Sequence, residues 1–225
     1  MRILHILDHS LPLHSGYTFR TAAILREQRA LGWETFHLTT PKQGFSTVEV
    51  EEADGLRFYR TPAPEGTGLV AQMRLTARRI DQLVDQLQPD LIHAHSPVLN
   101  ALPAEWVGRK RRLPVVYEMR ASWEDAAVDH GTTTEGSLRY RVSRALESFA
   151  LRHADQITTI CEGLRGDIQV RGIPADKITV IPNAVDANAF QFGAEPDAAL
   201  RSELGLDGCT VIGFAGSFYG YEGLD

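Results

Sequence analysis

The sequence predicts an α/β fold in which a Rossmann-like parallel sheet carries helices on both faces. Short apolar segments such as Arg2 to Leu7 alternate with longer amphipathic segments, as in chains of repeated strand and helix units. The doublet Val115-Val116 lies in an apolar run that is typical of a strand buried on both faces. Gly32 and Pro89 follow helical segments and indicate where those helices end.

The predicted elements alternate along most of the chain. The expected strands are Arg2 to Leu7, Trp33 to Thr39, Val48 to Tyr59 with a hairpin turn at Asp54-Gly55, Asp90 to His95, Pro114 to Met119, Gln156 to Cys161 and Lys177 to Pro182. The expected helices are Tyr17 to Leu31, Gly68 to Leu87, Val98 to Arg112, a segment with Leu138, Val142, Ala145 and Phe149 at helical spacing, Glu162 to Arg171, and Asp197 to Leu204.

Two segments depart from this alternation. Arg120 to Gly136 has no periodicity and is predicted to be a long loop, a kind of segment that is often functional. Thr210 to Phe214 reads as the first strand of a second Rossmann-like domain, and the glycine-bearing turn Gly216 to Gly220 follows it. We therefore expect residues 1–186 to form one domain, 187–208 a connector and 209–225 the truncated start of the next domain.

The composition narrows the class of protein. A net charge of −6 and a pI near 5.8 give no general attraction for nucleic acid. Cys161 and Cys209 are the two cysteines, and neither has a second cysteine or histidine at metal-ligand spacing. No run of about 18 apolar residues occurs, so we expect a cytoplasmic protein, with attachment to the inner membrane surface left open.

Several common catalytic signatures are missing. There is no GxGxxG, and Leu38-Thr39-Thr40 ends the second strand without the acidic residue that binds an NAD ribose. There is also no DxD, no Walker phosphate loop and no Gly-x-Ser-x-Gly elbow. The sequence thus argues against nicotinamide dehydrogenases, P-loop enzymes and the usual serine hydrolases.

Candidate site residues follow the strands, because ligands of open parallel sheets bind at the carboxyl ends of the strands. Gly16 precedes a helix start that could hold a phosphate, although it could also be a turn residue. His93 and His95 share one face of a strand, and contact with a ligand, structural hydrogen bonding and metal binding are all open readings. Glu118 and Arg120 either pair within the protein or leave Arg120 to bind an anion.

The segment after Arg120 supplies a further group of candidates. Trp123 could stack on a sugar face, while Asp129 and His130 could hydrogen-bond to sugar hydroxyls. A solvated flexible loop is the alternative.

Four motifs, together with a Gly16-bearing first loop, resemble glycosyltransferase family 4. The motifs are Arg2-Ile3-Leu4-His5-Ile6, Asp90-Leu91-Ile92-His93-Ala94-His95, Ala154-Asp155-Gln156-Ile157-Thr158-Thr159-Ile160-Cys161 and Val180-Ile181-Pro182-Asn183-Ala184-Val185-Asp186. Within the family, residues 96–140, and Trp123 to Thr133 in particular, resemble the subgroup associated with exosortase (PEP-CTERM) systems and exopolysaccharide loci.

The resemblance implies a two-domain GT-B enzyme that transfers a sugar with retention from a nucleotide-sugar donor, a UDP- or GDP-sugar, to a glycan or lipid-linked acceptor. It implies no cofactor and no required metal. The acceptor would lie against this domain and the donor mostly against the second. Gly16 would let the first loop approach the donor phosphates, Arg120 stands where relatives often have a cleft histidine, and His95 lines the same wall.

The resemblance also locates a domain junction and two departures from the family pattern. Asn183 and Asp186 belong to the junction motif. In the loop at Gly216, relatives carry an Arg and a Lys that hold the donor diphosphate, whereas this chain has Ser217 and Glu222. We therefore expect the 225 residues of this chain, on their own, to bind the donor weakly and to transfer little or no sugar.

Other functions remain compatible with the same fold. One is a non-catalytic module that binds a carbohydrate or a partner, and another is a GT-B-like sugar-nucleotide epimerase. An unpaired start of a second sheet could also join two copies into a dimer.

Overall fold

A computed structural model describes residues 1–44, 48–189, 193 and 195–216. The chain divides into two compact units, Met1–Asn183 and Ala184–Asp225. The first unit contains the sheet and the candidate site. In the second unit the structure describes a short helix whose N-terminal amide at Leu200 is capped by the Asp197 side chain.

The first unit is built on an eight-stranded sheet in the order β3-β4-β2-β1-β5-β6-β7-β8. Neighbouring strands are parallel except for the antiparallel pair β3 and β4, which confirms the predicted Rossmann-like sheet. The strands are β1 (Arg2–Leu7), β2 (Glu34–Thr39), β3 (Val50–Ala53), β4 (Leu56–Arg60), β5 (Leu91–His95), β6 (Val115–Met119), β7 (Gln156–Thr159) and β8 (Ile178–Val180).

Helices connect most of these strands, and their positions follow the sequence pattern closely. The α-helices are α1 (Gly16–Ala30), α2 (Leu69–Leu87), α3 (Val98–Arg111), α4 (Trp123–Asp129), α5 (Leu138–His153), α6 (Glu162–Val170) and α7 (Ala198–Glu203). The predicted hairpin is confirmed: Asp54 and Gly55 have φ of 52° and 69°, as a tight turn between antiparallel strands requires.

The two faces of the sheet pack against different helices. Leu4 and Ile6 of β1 join the larger hydrophobic cluster, which includes residues of α2, α3 and α5. Leu7 joins a smaller cluster with Leu25 of α1. Because side chains alternate along a strand, His5 lies on the same face as Leu7, toward α1.

Two amphipathic helices behave differently. The apolar stripe of α2, with Ile80 and Leu83 fully buried, faces the core as predicted. By contrast, Leu138, Val142 and Phe149 of α5 are exposed. The face of α5 that turns inward is the one bearing Glu147, whose carboxylate accepts a 2.6 Å hydrogen bond from the hydroxyl of buried Tyr117.

The predicted loop 120–136 is partly wrong, because it contains α4. This helix has seven residues. The acidic side chains in its first turn stabilise it, because they interact favourably with the positive N-terminal end of the helix dipole. It is too short to repeat a helical pattern, so periodicity could not reveal it.

The predicted strand at Thr210 to Phe214 is not formed; residues 210–215 are irregular. A strand needs a hydrogen-bonded neighbour, and none pairs with this segment in the part of the chain that the structure describes. Among the described residues, none of the helices combines the length and the apolar composition that a membrane span requires.

Candidate functional site

The candidate site lies where β1, β5 and β6 end, side by side in the sheet. His95 is the last residue of β5 and pairs in the strand register with Glu118 of β6. His5 of β1 pairs with His93 in the same way. The parallel topology therefore brings together groups that are far apart in sequence.

Glu118 is the centre of a buried charge network. Its Oε2 lies 2.6 Å from His95 Nδ1 and accepts a 2.8 Å hydrogen bond from Arg120 Nη2. Its Oε1 accepts hydrogen bonds of 2.8 and 3.0 Å from Arg20. Burial by itself would raise the pKa of Glu118, but His95 and Arg120 outweigh burial and hold that pKa well below its usual value.

Arg120 is enclosed by the protein. It is 6% exposed, and its guanidinium also donates to Thr21 Oγ1 at 3.0 Å and to the Tyr17 carbonyl at 3.2 Å. Of the two interpretations that the sequence left open, this geometry favours pairing within the protein over contact with an anionic ligand.

Arg20 was not predicted from the sequence, yet it connects the network to the end of the first unit. Besides Glu118, it donates to the carbonyls of Ile181 and Pro182 at 2.8 and 3.0 Å, and to Asn183 Oδ1 at 3.0 Å. Asn183 belongs to the predicted junction motif. Asp186, in the second unit, accepts a 2.9 Å hydrogen bond from the amide of Asn188.

His95 also belongs to a cluster of three buried histidines, with His5 and His93. His5 Nδ1 is 2.9 Å from His95 Nε2, and His5 Nε2 is 2.9 Å from Gln28 of α1. Burial lowers the pKa of all three, that of His93 to about 3.

These three histidines could in principle hold a metal ion, because one ligand atom from each lies within 4.8 Å of the others. The guanidinium groups of Arg20 and Arg120 next to them oppose a cation. The absence of a metal therefore stays a prediction, and the structure adds His5 to the histidine pair noted in the sequence.

Trp123 is the predicted residue that is open to solvent near the network. Its ring stacks on that of Tyr17, with centroids 6.0 Å apart, and Arg120 lies over the Tyr17 ring. Trp123 is 37% exposed. Asp129 and His130, also exposed, lie at the other end of α4, roughly 9 Å away along the helix axis.

The first loop places Gly16 at the start of α1, where a Cβ would meet no atom within 4 Å. The residues before it form a hydrogen-bonded series that was not predicted from the sequence. His9 Nδ1 is 3.1 Å from Asp8 Oδ2, and His9 Nε2 is 2.7 Å from Ser15 Oγ. Of the predicted second-domain residues, Gly216 is irregular, while Ser217 and Glu222 lie outside the described residues.

Comparison with known families gives a clear match. Residues 15–184 match the family described as a glycosyl transferase 4-like domain. This chain belongs to that family. No curated protein sequence matches the glycosyltransferase 4-like chain significantly.

Solved structures share the fold of this glycosyltransferase 4-like chain at low identity. Anabaena HepE, solved in complex with UDP and glucose, is 19% identical with a TM-score of 0.60, over 90% of this chain and 50% of HepE. The lipopolysaccharide outer core galactosyltransferase WaaB is 14% identical with a TM-score of 0.57, over 83% of this chain and 46% of WaaB. UDP-GlcNAc 2-epimerase from Methanocaldococcus jannaschii is 15% identical with a TM-score of 0.55, over 81% and 46%.

These three likenesses establish the fold and leave the reaction open, since they include a galactosyltransferase and an epimerase. The chain spans about half the length of each of these proteins.

Proposed function

We propose that this chain is the acceptor-side domain of a retaining glycosyltransferase that uses a UDP- or GDP-sugar. The observation that carries the proposal is the stacked pair Tyr17 and Trp123, which lies beside the charge network at the carboxyl ends of the strands in a chain of the glycosyltransferase 4-like family. Ligands of open parallel sheets bind at this edge.

The acceptor contacts follow from exposure. Trp123 offers an aromatic face on which the apolar side of a sugar ring can stack. Asp129 and His130, farther along α4, can hydrogen-bond to a second sugar unit. This favours a glycan or a lipid-linked glycan as the acceptor. The resemblance of residues 123–133 to an exopolysaccharide-associated subgroup supports a role in the synthesis of a cell-surface glycan.

The donor contacts in this chain are few. Gly16 is exposed at the start of α1, and the amides and dipole of a helix start favour a phosphate. Most donor contacts would come from a second domain. The replacement of two basic residues of the family by Ser217 and Glu222 is a further reason to expect weak donor binding by this chain.

The buried network has a positioning role in this proposal. Glu118 and Arg120 are enclosed, so they hold the ends of β5 and β6 in place for the residues at the rim. Preorganised surroundings of this kind are what sugar transfer requires, because reacting groups must be held within a fraction of an ångström.

Calorimetric titration tests whether this chain binds the acceptor and a second domain supplies most of the donor binding. The chain would be titrated with β-linked glucose and N-acetylglucosamine oligosaccharides, UDP, GDP and UDP-glucose. A chimaera that adds the half of HepE that this chain does not match would be titrated in parallel. We expect the chain to bind oligosaccharide and the chimaera to bind UDP as well. Absence of oligosaccharide binding to the chain would contradict an acceptor-side role.

Product analysis tests the reaction itself. We expect the chimaera to transfer glucose from UDP-glucose to an oligosaccharide, and proton NMR to show the anomeric configuration of the donor in the product. Inverted product would overturn the retaining mechanism.

An epimerase is the second candidate, favoured by the UDP-GlcNAc 2-epimerases among the structural neighbours. It predicts that UDP-GlcNAc is converted to an isomer without any acceptor. A carbohydrate-binding module predicts oligosaccharide binding with no turnover by the chimaera.

A further inference from the structure

The hydrogen-bonded series in the first loop has the arrangement of a nucleophilic catalytic triad. A carboxylate of Asp8 lies 3.1 Å from His9 Nδ1, and His9 Nε2 lies 2.7 Å from the Ser15 hydroxyl. In such a triad, a carboxylate orients an imidazole, which in turn takes the proton of a hydroxyl.

The hydrogen-bond polarity is consistent with this arrangement. The Asp8 carboxylate accepts from His9 Nδ1–H, which leaves the lone pair on Nε2 to accept from the Ser15 hydroxyl. The second Asp8 oxygen lies 3.3 Å from Lys42 Nζ. Ser15 Oγ is also 3.2 Å from Thr18 Oγ1, but the contact with His9 is the shorter one.

Ser15 has a position that assists attack on a carbonyl carbon. It is the N-cap of α1 and accepts a hydrogen bond from the amide of Thr18. The amides of Gly16 and Tyr17, at the first two helix positions, have no partner within the helix and can donate to an oxyanion next to Ser15. A sequence motif could not reveal this site, because loop geometry brings Ser15 to His9.

The three side chains are accessible and lie beside the aromatic pair. The side chains of His9 and Asp8 are 23% and 20% exposed, and Ser15 is half-buried. The His9 ring lies 6.4 Å from the ring of Tyr17, which stacks on Trp123. An ester whose alcohol part is a sugar can therefore rest on the aromatic rings while its acyl group reaches Ser15.

We propose that Ser15, His9 and Asp8 form a second catalytic site that cleaves short-chain carboxylic esters of sugars. Ser15 Oγ bonds to the carbonyl carbon and its proton passes to His9 Nε2. The carbon–oxygen bond to the sugar then breaks, and the sugar hydroxyl leaves with the proton from His9. Water then attacks the acyl carbon and gives one proton to His9. The bond from that carbon to Ser15 Oγ breaks, His9 returns the proton to Ser15 Oγ, and the carboxylic acid is released.

The chain provides a matched control for the capping role of Ser15. Ser137 is the N-cap of α5 and accepts from the amide of Tyr140 at 3.2 Å. Its hydroxyl lies 2.8 Å from Thr133 Oγ1, and thus meets a hydroxyl where Ser15 meets an imidazole. The two serines share the cap and differ in the base.

Labelling with a fluorophosphonate probe, followed by peptide mass spectrometry, tests the nucleophile. The serine displaces fluoride from phosphorus, so the modified residue is identified directly. We expect the label on Ser15 in the wild type and in Ser137→Ala, and none in Ser15→Ala. A wild type that is folded by circular dichroism but carries no label on Ser15 would overturn the proposal.

Hydrolysis of p-nitrophenyl acetate and of an acetylated methyl glucoside tests the base and its partner. His9→Gln and Asp8→Asn keep the Ser15 cap, and we expect the His9 variant to be slower by about 100-fold or more. The Asp8 variant should also lose most of the rate. Equal rates in wild type, Ser15→Ala and His9→Gln would show that the site has no esterase activity.

Discussion

The buried network around Glu118 and the rim around Ser15 lie at the same edge of the sheet but differ in their exposure. Glu118, His95 and Arg120 are at most 6% exposed and bond to one another. In the first loop, the side chains of Asp8 and His9 remain 20 and 23% exposed. In our proposals, the buried residues that the sequence singled out therefore position the site, and the solvent-accessible loop residues carry out the chemistry.

The difference has a physical origin. A strand end inside an eight-stranded sheet is covered by the neighbouring strands and by a helix, so a charge there must be paired. The loop that follows the strand runs over the surface, where polar groups can remain in water until a ligand arrives.

A substitution that breaks the charge network around Glu118 should have the largest effect on stability. Glu118→Gln removes the charge that Arg20 and Arg120 share. We expect a loss of about 3–5 kcal/mol in the free energy of unfolding, because the buried guanidinium of Arg120 and the partly buried one of Arg20 lose their counterion. Urea denaturation measures the loss. Glu52→Gln, in an exposed pair with Arg57, should change the midpoint far less. Equal effects of the two changes would refute the central role of Glu118.

Glu147, a buried acid whose pKa is raised, should respond to pH in the opposite sense to Glu118. Burial raises the pKa of Glu147 from 4.5 to about 7, even though the hydrogen bond from Tyr117 lowers it. The stabilising effect of the protonated acid is complete below pH 4.5 and is lost as the pH rises through 7.

Glu147→Gln removes this titration. Between pH 4.5 and 7.5, the free energy of unfolding of the variant should therefore rise by about 3 kcal/mol relative to that of the wild type. Thermal unfolding over this pH range, with exposed Glu135→Gln as the control, checks the prediction. A gain that is independent of pH would exclude the titration of Glu147 as its cause.

Removing the exposed aromatic ring of Trp123 should alter oligosaccharide binding more than the stability of the fold. For Trp123→Ala we expect about tenfold weaker binding of oligosaccharide, the size of one stacking contact. Trp106, which is 63% exposed on α3, provides the control. Calorimetry on both variants measures the difference, and equal affinities would remove Trp123 from the acceptor surface.

The local pattern of the sequence predicts much of this fold. The stripe of α2, the hairpin at Asp54-Gly55 and the strands from β1 to β8 follow from spacing and turn residues, because these signals act between neighbours in the chain. The same reasoning failed for α4, which is shorter than two full repeats. It also did not reveal which face of α5 is buried, since that face carries Glu147, which bonds to Tyr117, beside the apolar Leu151.

By itself, the sequence determined the fold class, the family and the strand ends at which His95, Glu118 and Arg120 lie. Tertiary structure alone decided which groups meet there. It brings Arg20 to Glu118 across 98 residues, His5 to His95 across 90, and Ser15 back to His9 within one loop. Strand order and loop geometry set these distances, and the spacing of residues along the chain predicts neither of them.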